Sequence, residues 1–273
     1  MIFRFPLKDV TILVTQQKKK INFPLYSDDW HQINQNEFTL EVKGVAWFYA
    51  CNGNYIEVLP SKGFNQKTLE LYLNGSVYGA VLLQRMILPL HGSCFIYNGS
   101  GIMICGESGA GKSSLTAAFC LNGGQFLTDD ISPISINEGK PYILSLSDRI
   151  KLWGDTLEQL KIQKEGLQSI DGDSQKFYFP IDDSKLDLFL LSRIFVLEIH
   201  NKTDIEYQEI KGIEKLTSIR THIYRLEYLH GMPQNESFFF RNLADISNNV
   251  SIIRIKRPPK ISVQEVMSVL KNI

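Results

Sequence analysis

The sequence predicts an α/β protein with a β-rich N-terminal part. Two observations support this: β-branched and aromatic runs fill the first 65 residues, and apolar strands alternate with helical stretches after residue 86. No internal repeat or low-complexity linker interrupts the chain. We therefore predict a β-rich subdomain over residues 1–85 and a larger α/β domain over residues 86–273.

The elements follow in order along the chain. Asn52-Gly53 is a strong hairpin signal, and the apolar spacing over 66–86 predicts a helix interrupted at Asn74-Gly75. Asn98-Gly99 predicts a turn between two further strands. The predicted strands are 10–14, 38–42, 45–49, 93–97, 101–105, 125–128 and 188–199, and the later helices are 113–120 and 263–270.

Composition excludes several classes of protein. The 273 residues are 44% hydrophobic and 21% charged, which is ordinary for a globular chain and excludes disorder or a fibrous repeat. The 29 basic and 29 acidic residues give a formal net charge of +0. Because phosphate neutralisation needs a basic excess or stripe, we expect no nucleic-acid partner.

The sequence predicts a cytoplasmic protein without a membrane partner. The most apolar stretch, 186–199, is shorter than the roughly 20 residues needed to span a bilayer, and it contains Asp187 and Arg193. Charged residues near the N-terminus leave no apolar core for a signal peptide. The four cysteines, Cys51, Cys94, Cys105 and Cys120, have no metal-ligand spacing and suit a reducing compartment.

One motif carries the strongest chemical signal. Residues 106–113 read G-E-S-G-A-G-K-S, which fits the phosphate-binding (Walker A) pattern G-x-x-x-x-G-K-[ST] between a predicted strand and a predicted helix. Such a loop turns backbone N–H groups toward a polyphosphate, and the helix N-terminus adds positive partial charge. The candidate cofactor-binding residues are Gly106, Glu107, Ser108, Gly109, Ala110, Gly111, Lys112, Ser113 and Ser114. We expect Lys112 to contact the β- and γ-phosphates and Ser113 to bind Mg²⁺, so ATP and Mg²⁺ are the predicted cofactors.

Two adjacent carboxylates follow the next predicted strand. Asp129 and Asp130 end the run 125–130, and His91 lies upstream of the strand pair that leads into the loop. Near a phosphate-bound Mg²⁺, one carboxylate can hold the metal while the other accepts a proton from an incoming hydroxyl. We assign Asp129 to the metal together with Ser113.

These residues resemble the catalytic core of HPr kinase/phosphorylase and its relatives. Leu90-His91-Gly92-Ser93, the loop 106–113 and Asp129-Asp130 occur in the family's order and at closely similar separations. The resemblance implies a P-loop kinase core of the HPr kinase type over 86–273, an ATP-dependent serine kinase and a peptide or small-protein substrate. It further implies that Asp130 accepts the hydroxyl proton, that His91 and Lys112 are active-site residues, and that the chain forms a homo-oligomer.

Departures from the family favour its compact peptide-kinase branch, whose members phosphorylate the C-terminal Ser of a lasso-peptide precursor. No Glu-Ile-Arg-Gly-type segment follows Asp130, so Asp148 and Asp155 are the nearest candidates for a second metal ligand. The segment that the family uses for dephosphorylation is not found, which argues against phosphorylase activity.

Two alternative functions stay open. Asn201-Lys202-Thr203-Asp204 matches the N-K-x-D pattern that reads guanine in GTPases, although Asp129-Asp130-Ile131-Ser132 lacks the glycine that senses a γ-phosphate. The alternatives are therefore a GTP-binding regulatory switch and an HPr-type or small-molecule kinase.

Two weaker signals concern positive charge. Lys176 is either a second cation on the phosphates or a solvated side chain. Arg220, His222 and Arg225 form either a solvated face or a site for an acidic peptide.

Overall fold

A computed structural model describes residues 3–146, 149–170, 175–180 and 187–273. The chain forms two compact units. The first comprises Met1–Pro89 and Ile223–Arg241, and the second comprises Leu90–His222 and Asn242–Ile273. The predicted boundary at 85/86 lies close to Pro89, whereas the return of Ile223–Arg241 to the first unit has no counterpart in the sequence prediction.

The strands, in chain order, are β1 (Thr11–Val14), β2 (Tyr26–Ser27), β3 (His31–Ile33), β4 (Glu37–Val42), β5 (Ala46–Cys51), β6 (Tyr55–Pro60), β7 (Leu88–Tyr97), β8 (Ser100–Gly106), β9 (Gln125–Thr128), β10 (Ile131–Asn137), β11 (Lys140–Leu144), β12 (Arg149–Trp153), β13 (Gln168–Ser169), β14 (Lys176–Pro180), β15 (Leu188–Ile199), β16 (Glu206–Glu209) and β17 (Ser251–Arg257). The α-helices are α1 (Gln66–Tyr72), α2 (Tyr78–Gln84), α3 (Lys112–Leu121), α4 (Gly154–Gln159), α5 (Ile213–Arg220), α6 (Pro233–Asn249) and α7 (Val263–Lys271). A π-helical segment (Leu73–Val77) and a 3-10 helix (Leu226–Gly231) complete the set.

The first unit is built on a six-stranded sheet in the order β1-β6-β5-β4-β3-β2. Its neighbouring strands run antiparallel, except that β1 and β6 are parallel. The loop between β5 and β6 spans residues 52–54, and Asn52 and Gly53 have the positive φ angles of 52° and 68° that Asn and Gly accommodate in tight hairpin turns. The Asn52-Gly53 prediction is therefore confirmed.

The helix predicted over 66–86 does not break at Asn74-Gly75. It begins at Asn65, whose side chain accepts hydrogen bonds from the backbone N–H groups of Lys67 and Thr68. The helix then widens into the π-helical segment and continues as α2. A π-helical turn keeps backbone groups hydrogen-bonded, so the local helical weakness of Asn-Gly changes the winding without ending the helix.

The second unit is built on an eight-stranded sheet in the order β11-β10-β7-β8-β15-β17-β16, with β9 also paired to β7. Strand β15 runs parallel to both β8 and β17, whereas β7 and β8 form an antiparallel hairpin. Parallel strands place their carboxyl ends at one edge of a sheet, which is where ligands bind in open α/β folds. That edge is formed by Gly106, Ile199 and Arg257.

Helices α3 and α7 cover one face of the three parallel strands. Phe119 of α3 and Leu270 of α7 are buried against Phe195 of β15 and Ile255 of β17. A capping box at Ser262 and Glu265 starts α7. This packing fixes α3, and therefore the loop that precedes it, relative to the strand ends.

A smaller sheet, in the order β12-β14-β13, lies in the same unit. Ile150 and Leu152 of β12 are buried and pack in a cluster with Ala117 of α3. Side chains alternate along a strand, so Lys151 points away from that cluster. No helix among the described residues is long and apolar enough to cross a bilayer.

Candidate active site

The loop 106–111 joins β8 to α3 and depends on glycine at both ends. Gly106 has φ 144°, and a Cβ there would lie 2.5 Å from the Leu197 carbonyl oxygen, so strand β15 leaves no room for a side chain. Gly111 has φ 101° and precedes the first residue of α3. The predicted order of strand, glycine-rich loop and helix is therefore present.

Lys112 and Arg257 tie this loop together. The ammonium of Lys112 donates to the carbonyl oxygens of Gly106 at 2.8 Å and Glu107 at 3.1 Å. Arg257, at the end of β17, donates to the carbonyl oxygens of Ala110 at 2.9 Å and Gly109 at 3.4 Å. Because these carbonyl oxygens accept hydrogen bonds from Lys112 and Arg257, the curved backbone of the loop is held in place between β8 and β17.

A hydrogen bond between Ser113 and Asp129 joins α3 to the end of β9. The Ser113 hydroxyl donates to Asp129 Oδ1 at 2.8 Å, and the backbone N–H of Lys151 donates to Asp129 Oδ2 at 2.8 Å. Burial, followed by the neighbouring charge of Asp130, raises the pKa of Asp129. A hydroxyl and a carboxylate oxygen in contact form a donor set that suits a hard cation.

Asp130 faces a different set of partners. Its Oδ2 accepts a hydrogen bond from Lys151 Nζ at 2.7 Å, and its Oδ1 lies 3.5 Å from Nδ1 of His91. The same His91 nitrogen lies 3.0 Å from the Asp130 carbonyl oxygen. Asp130 has φ 71°, an uncommon conformation for a residue with a side chain. The strand end thus directs two adjacent carboxylates to two different groups of contacts.

The charges around Asp130 decide its protonation state. Burial acts to raise the pKa of Asp130, but the Lys151 ammonium, with His91 and Lys176, outweighs burial and lowers it. The pKa of Lys151 is raised, because the attraction of Asp130 exceeds the effect of burial. Burial lowers the pKa of His91, and the charge of Lys112 lowers it further. At neutral pH, Asp130 is therefore an ionised carboxylate beside a neutral imidazole.

A cavity of about 830 Å³ opens beside the loop. His91 and Glu107 line it, together with Glu198, His222 and Arg254. The remaining lining residues are Gly106, Ser108, Ala110, Val196, Leu197, Ile199, Glu214, Thr217, Ser218 and Thr221. A cavity of this size accommodates a ligand of several hundred daltons.

The structure brings the predicted residues Lys112, Ser113, Asp129, Asp130 and His91 into one region, through the contacts given above. Of the other loop residues, Ser114 extends this region toward α4, since its hydroxyl lies 2.8 Å from the Thr156 hydroxyl.

Other predicted candidates lie elsewhere. Asp155 accepts a hydrogen bond from the backbone N–H of Thr156 next to it, and no described contact links it to Asp129 or Ser113. Asp148, the alternative second metal ligand, lies outside the described residues. Within the described part of the chain, no group of three or more metal-ligating side chains occurs.

The guanine-reading candidates Asn201 and Asp204 are exposed in the turn after β15. The Asp204 carbonyl oxygen lies 2.9 Å from Nε2 of His200, a local contact within that turn. Lys176 stacks its ammonium 4.6 Å from the ring centroid of Trp153, and its charge also lowers the pKa of Asp130.

Sequence reasoning assigned no role to Lys151 or Arg257, and it considered His222 only as part of a possible acidic-peptide site with Arg220 and Arg225. Lys151 carries a weak signal, because a lone cation between the apolar residues Ile150 and Leu152 points to the face opposite the core. Arg257 carries no such signal, and it reaches the loop because β17 and β8 end at the same edge of the sheet, on either side of β15. His222 follows α5 and lines the cavity beside the loop.

Known proteins resemble the chain in sequence and in structure. One is described as "Putative HPr kinase/phosphorylase 2" from Oceanobacillus iheyensis and is 25% identical over 233 residues, which cover 77% of this chain and 69% of the relative. The chain is similar in sequence to that protein. This similarity supports the HPr kinase-like resemblance seen in the motifs.

A structural comparison matches the Hpr(Ser) kinase/phosphatase from Coxiella burnetii, with a TM-score of 0.37 and 12% identity over 67% of this chain and 94% of that chain. No family model matches the chain.

Proposed function

We propose that the chain is an ATP-dependent kinase that transfers the γ-phosphate to a Ser hydroxyl of a peptide or small protein. The observation that carries this proposal is that the two adjacent carboxylates have different partners: Asp129 contacts Ser113, whereas Asp130 contacts Lys151. Nucleotide hydrolysis needs only a metal-binding carboxylate, whereas transfer to an alcohol also benefits from a proton acceptor.

In the proposed reaction, the acceptor hydroxyl oxygen forms a bond to the γ-phosphorus while the bond from that phosphorus to the β–γ bridging oxygen breaks. The hydroxyl proton passes to Asp130, and ADP leaves. Oδ1 of Asp130 is the better placed oxygen, since Oδ2 is held by Lys151. The backbone N–H groups of the loop and Lys112 would bind the phosphates, so positioning and charge neutralisation supply most of the rate enhancement.

The residues present fit a magnesium ion. Ser113 Oγ and a carboxylate oxygen of Asp129 would hold it, with the nucleotide phosphates and water completing the shell, as is usual for Mg²⁺. When bound, the ion neutralises charge on the β- and γ-phosphates. The raised pKa of Asp129 is consistent with a buried carboxylate that a cation would stabilise in its charged form.

The acceptor we favour is a C-terminal Ser of a lasso-peptide precursor, following the family resemblance. Two alternative functions are a GTP-binding switch and an HPr-type or small-molecule kinase. We favour ATP over a guanine nucleotide because Asp129-Asp130-Ile131-Ser132 lacks the glycine that senses a γ-phosphate in GTPases.

The test is incubation of the protein with γ-labelled ATP, MgCl₂ and Ser-containing peptides, followed by mass spectrometry. Asp130→Asn should reduce transfer by about 10²–10⁴-fold, the usual contribution of a general base, while the Kd for ATP stays within about twofold. Asp245→Asn, on α6, is the matched control with the same change of charge. Full transfer by Asp130→Asn would remove this carboxylate from the mechanism.

Lys112→Ala separates nucleotide binding from transfer. We expect it to weaken ATP binding by tenfold or more in calorimetry, because the loop loses both its cation for the phosphates and its internal hydrogen bonds. An unchanged ATP affinity, or a strong preference for GTP, would contradict the proposal.

A further inference from the structure

The cavity beside the loop has one wall made by a single helix face. Four residues of this wall recur at spacings of three and four along α5 and its C-terminal end: Glu214, Thr217, Ser218 and Thr221. This spacing places them on one side of a helix. The carboxyl end of β15, residues 196–199, forms another wall.

Most polar groups in this cavity already have partners. The hydroxyls of Thr217 and Thr221 donate to carbonyl oxygens within their own helix. Arg254 donates to Glu198 at 2.8 Å and to Glu214 at 2.9 Å, so its charge is balanced by two carboxylates. These residues shape the cavity.

Two polar groups on the α5 side of the cavity have no hydrogen-bond partner among the described residues. The hydroxyl of Ser218 and the imidazole of His222 line the cavity, and neither forms a hydrogen bond with any side chain or backbone group in the described part of the chain. Burial, and then the charges of His91 and Lys112, lower the pKa of His222 to about 4. At neutral pH its ring therefore offers one N–H donor and one nitrogen acceptor, and Ser218 likewise offers both roles.

His91 connects this cavity to the carboxylate assigned as proton acceptor. The backbone N–H of His91 donates to the His222 carbonyl oxygen at 2.6 Å, and the His91 ring contacts Asp130. His91 therefore belongs both to the cavity wall and to the surroundings of the carboxylate assigned as proton acceptor. A hydroxyl at the inner end of the cavity would lie beside the phosphate loop.

We propose that this cavity is the acceptor site and that it holds a short peptide segment, with Ser218 and His222 hydrogen-bonding its backbone amides. The inference rests on the proposed kinase function. Neutral groups that each donate and accept match a peptide unit, which carries one N–H and one C=O, better than they match an anionic ligand. The volume of about 830 Å³ exceeds what a single free amino acid needs.

The probe is a pool of octapeptides with one fixed Ser, phosphorylated with γ-labelled ATP, from which the best substrate is selected. His222→Ala should raise KM for that peptide by tenfold or more while the Kd for ATP stays within twofold. His222→Gln, which retains a donor and an acceptor, should recover part of the loss. Ser218→Phe should fill the cavity and abolish peptide phosphorylation without loss of ATP binding. Ile213→Ala, on α5 but exposed and outside the cavity lining, is the matched control.

The outcomes separate this inference from the kinase proposal. Unchanged peptide KM in both His222→Ala and Ser218→Phe would overturn the inference while the kinase function stands. Phosphorylation of free serine or another small alcohol, with no peptide accepted, would overturn it in the same way. Failure to bind ATP, or to transfer phosphate to any acceptor, would instead overturn the proposed function and the inference together.

Discussion

Lys151 contacts both members of the Asp129-Asp130 pair, and it does so with different atoms. Its backbone N–H donates to Asp129 Oδ2, and its Nζ donates to Asp130 Oδ2 at 2.7 Å. One residue of β12 thus orients the carboxylate assigned to the metal and sets the charge of the carboxylate assigned to proton transfer. Lys151 is therefore a positioning residue whose removal should change the chemistry in a measurable way.

The first prediction concerns the pH profile of transfer. Lys151→Met removes the cation that lowers the pKa of Asp130, so this pKa should rise. The acidic limb of the kcat profile should then move upward by about one to two pH units, since an opposite charge at this distance commonly lowers a carboxyl pKa by that amount. Lys151→Arg keeps the charge and should leave the limb near its wild-type position. An acidic limb that does not move in Lys151→Met would show that Asp130 does not set it.

The second prediction concerns stability, measured by chemical unfolding at several pH values. The lowered pKa of Asp130 stabilises the fold above the carboxyl's unfolded pKa, and this contribution is lost as pH falls through the folded value. The raised pKa of Lys151 stabilises below its unfolded value, and that contribution is lost only at strongly basic pH. Solvent screens the pair, whose side chains keep 25% and 34% exposure, so we expect Lys151→Met to cost about 1–2 kcal/mol at pH 7.

The cost of Lys151→Met should therefore be nearly constant between about pH 5 and pH 9 and shrink below about pH 4. An equal cost at pH 3 and pH 7 would mean that the lost stability comes from packing of the lysine stem.

The third prediction concerns the hydrogen bonds by which Arg257 holds the loop 106–111. Arg257→Met removes the hydrogen bonds to the carbonyl oxygens of Ala110 and Gly109. We expect ATP binding to weaken about tenfold in calorimetry, because the loop loses the contact that holds its curve. Lys260→Met, an exposed change three residues further along, is the matched control. Equal ATP affinity in both variants would show that α3 and β8 suffice to hold the loop.

The fourth prediction tests the metal assignment without relying on turnover. Ser113→Ala removes the hydroxyl that contacts Asp129. The increase in ATP affinity on adding MgCl₂, measured by calorimetry, should shrink about tenfold, while ATP binding in EDTA stays near the wild-type value. The control is Ser268→Ala on α7, whose hydroxyl bonds only within its own helix. A full magnesium effect in Ser113→Ala would exclude this serine as a ligand.

The fifth prediction addresses nucleotide choice. Asp204→Ala should leave the ratio of ATP to GTP affinity unchanged, since Asp204 is exposed in the turn after β15. A selective loss of GTP binding would instead favour the regulatory switch as the function of this chain. Fluorescence competition with both nucleotides gives the ratio directly.

Local sequence patterns predicted much of the secondary structure, because turns, strands and helices depend mainly on residues that are neighbours in the chain. The two Asn-Gly turns, β15 and the capped helix α7 follow from backbone preference and apolar periodicity. The helix at 66–84 was predicted, but its π-helical segment was not, since Asn74-Gly75 marks a weak point in a helix without specifying whether the helix ends or widens there.

By itself, the sequence determined the glycine-rich loop 106–111 and the adjacent carboxylates, because the strand, glycines, lysine and helix of this motif are contiguous in the chain. Only the tertiary structure decided which side chains surround them. Lys151, Arg257 and His222 come from distant parts of the chain and meet the loop where parallel strands end together. Their charge and hydrogen-bonding roles depend on burial and on distances of about 3 Å, which no local pattern encodes.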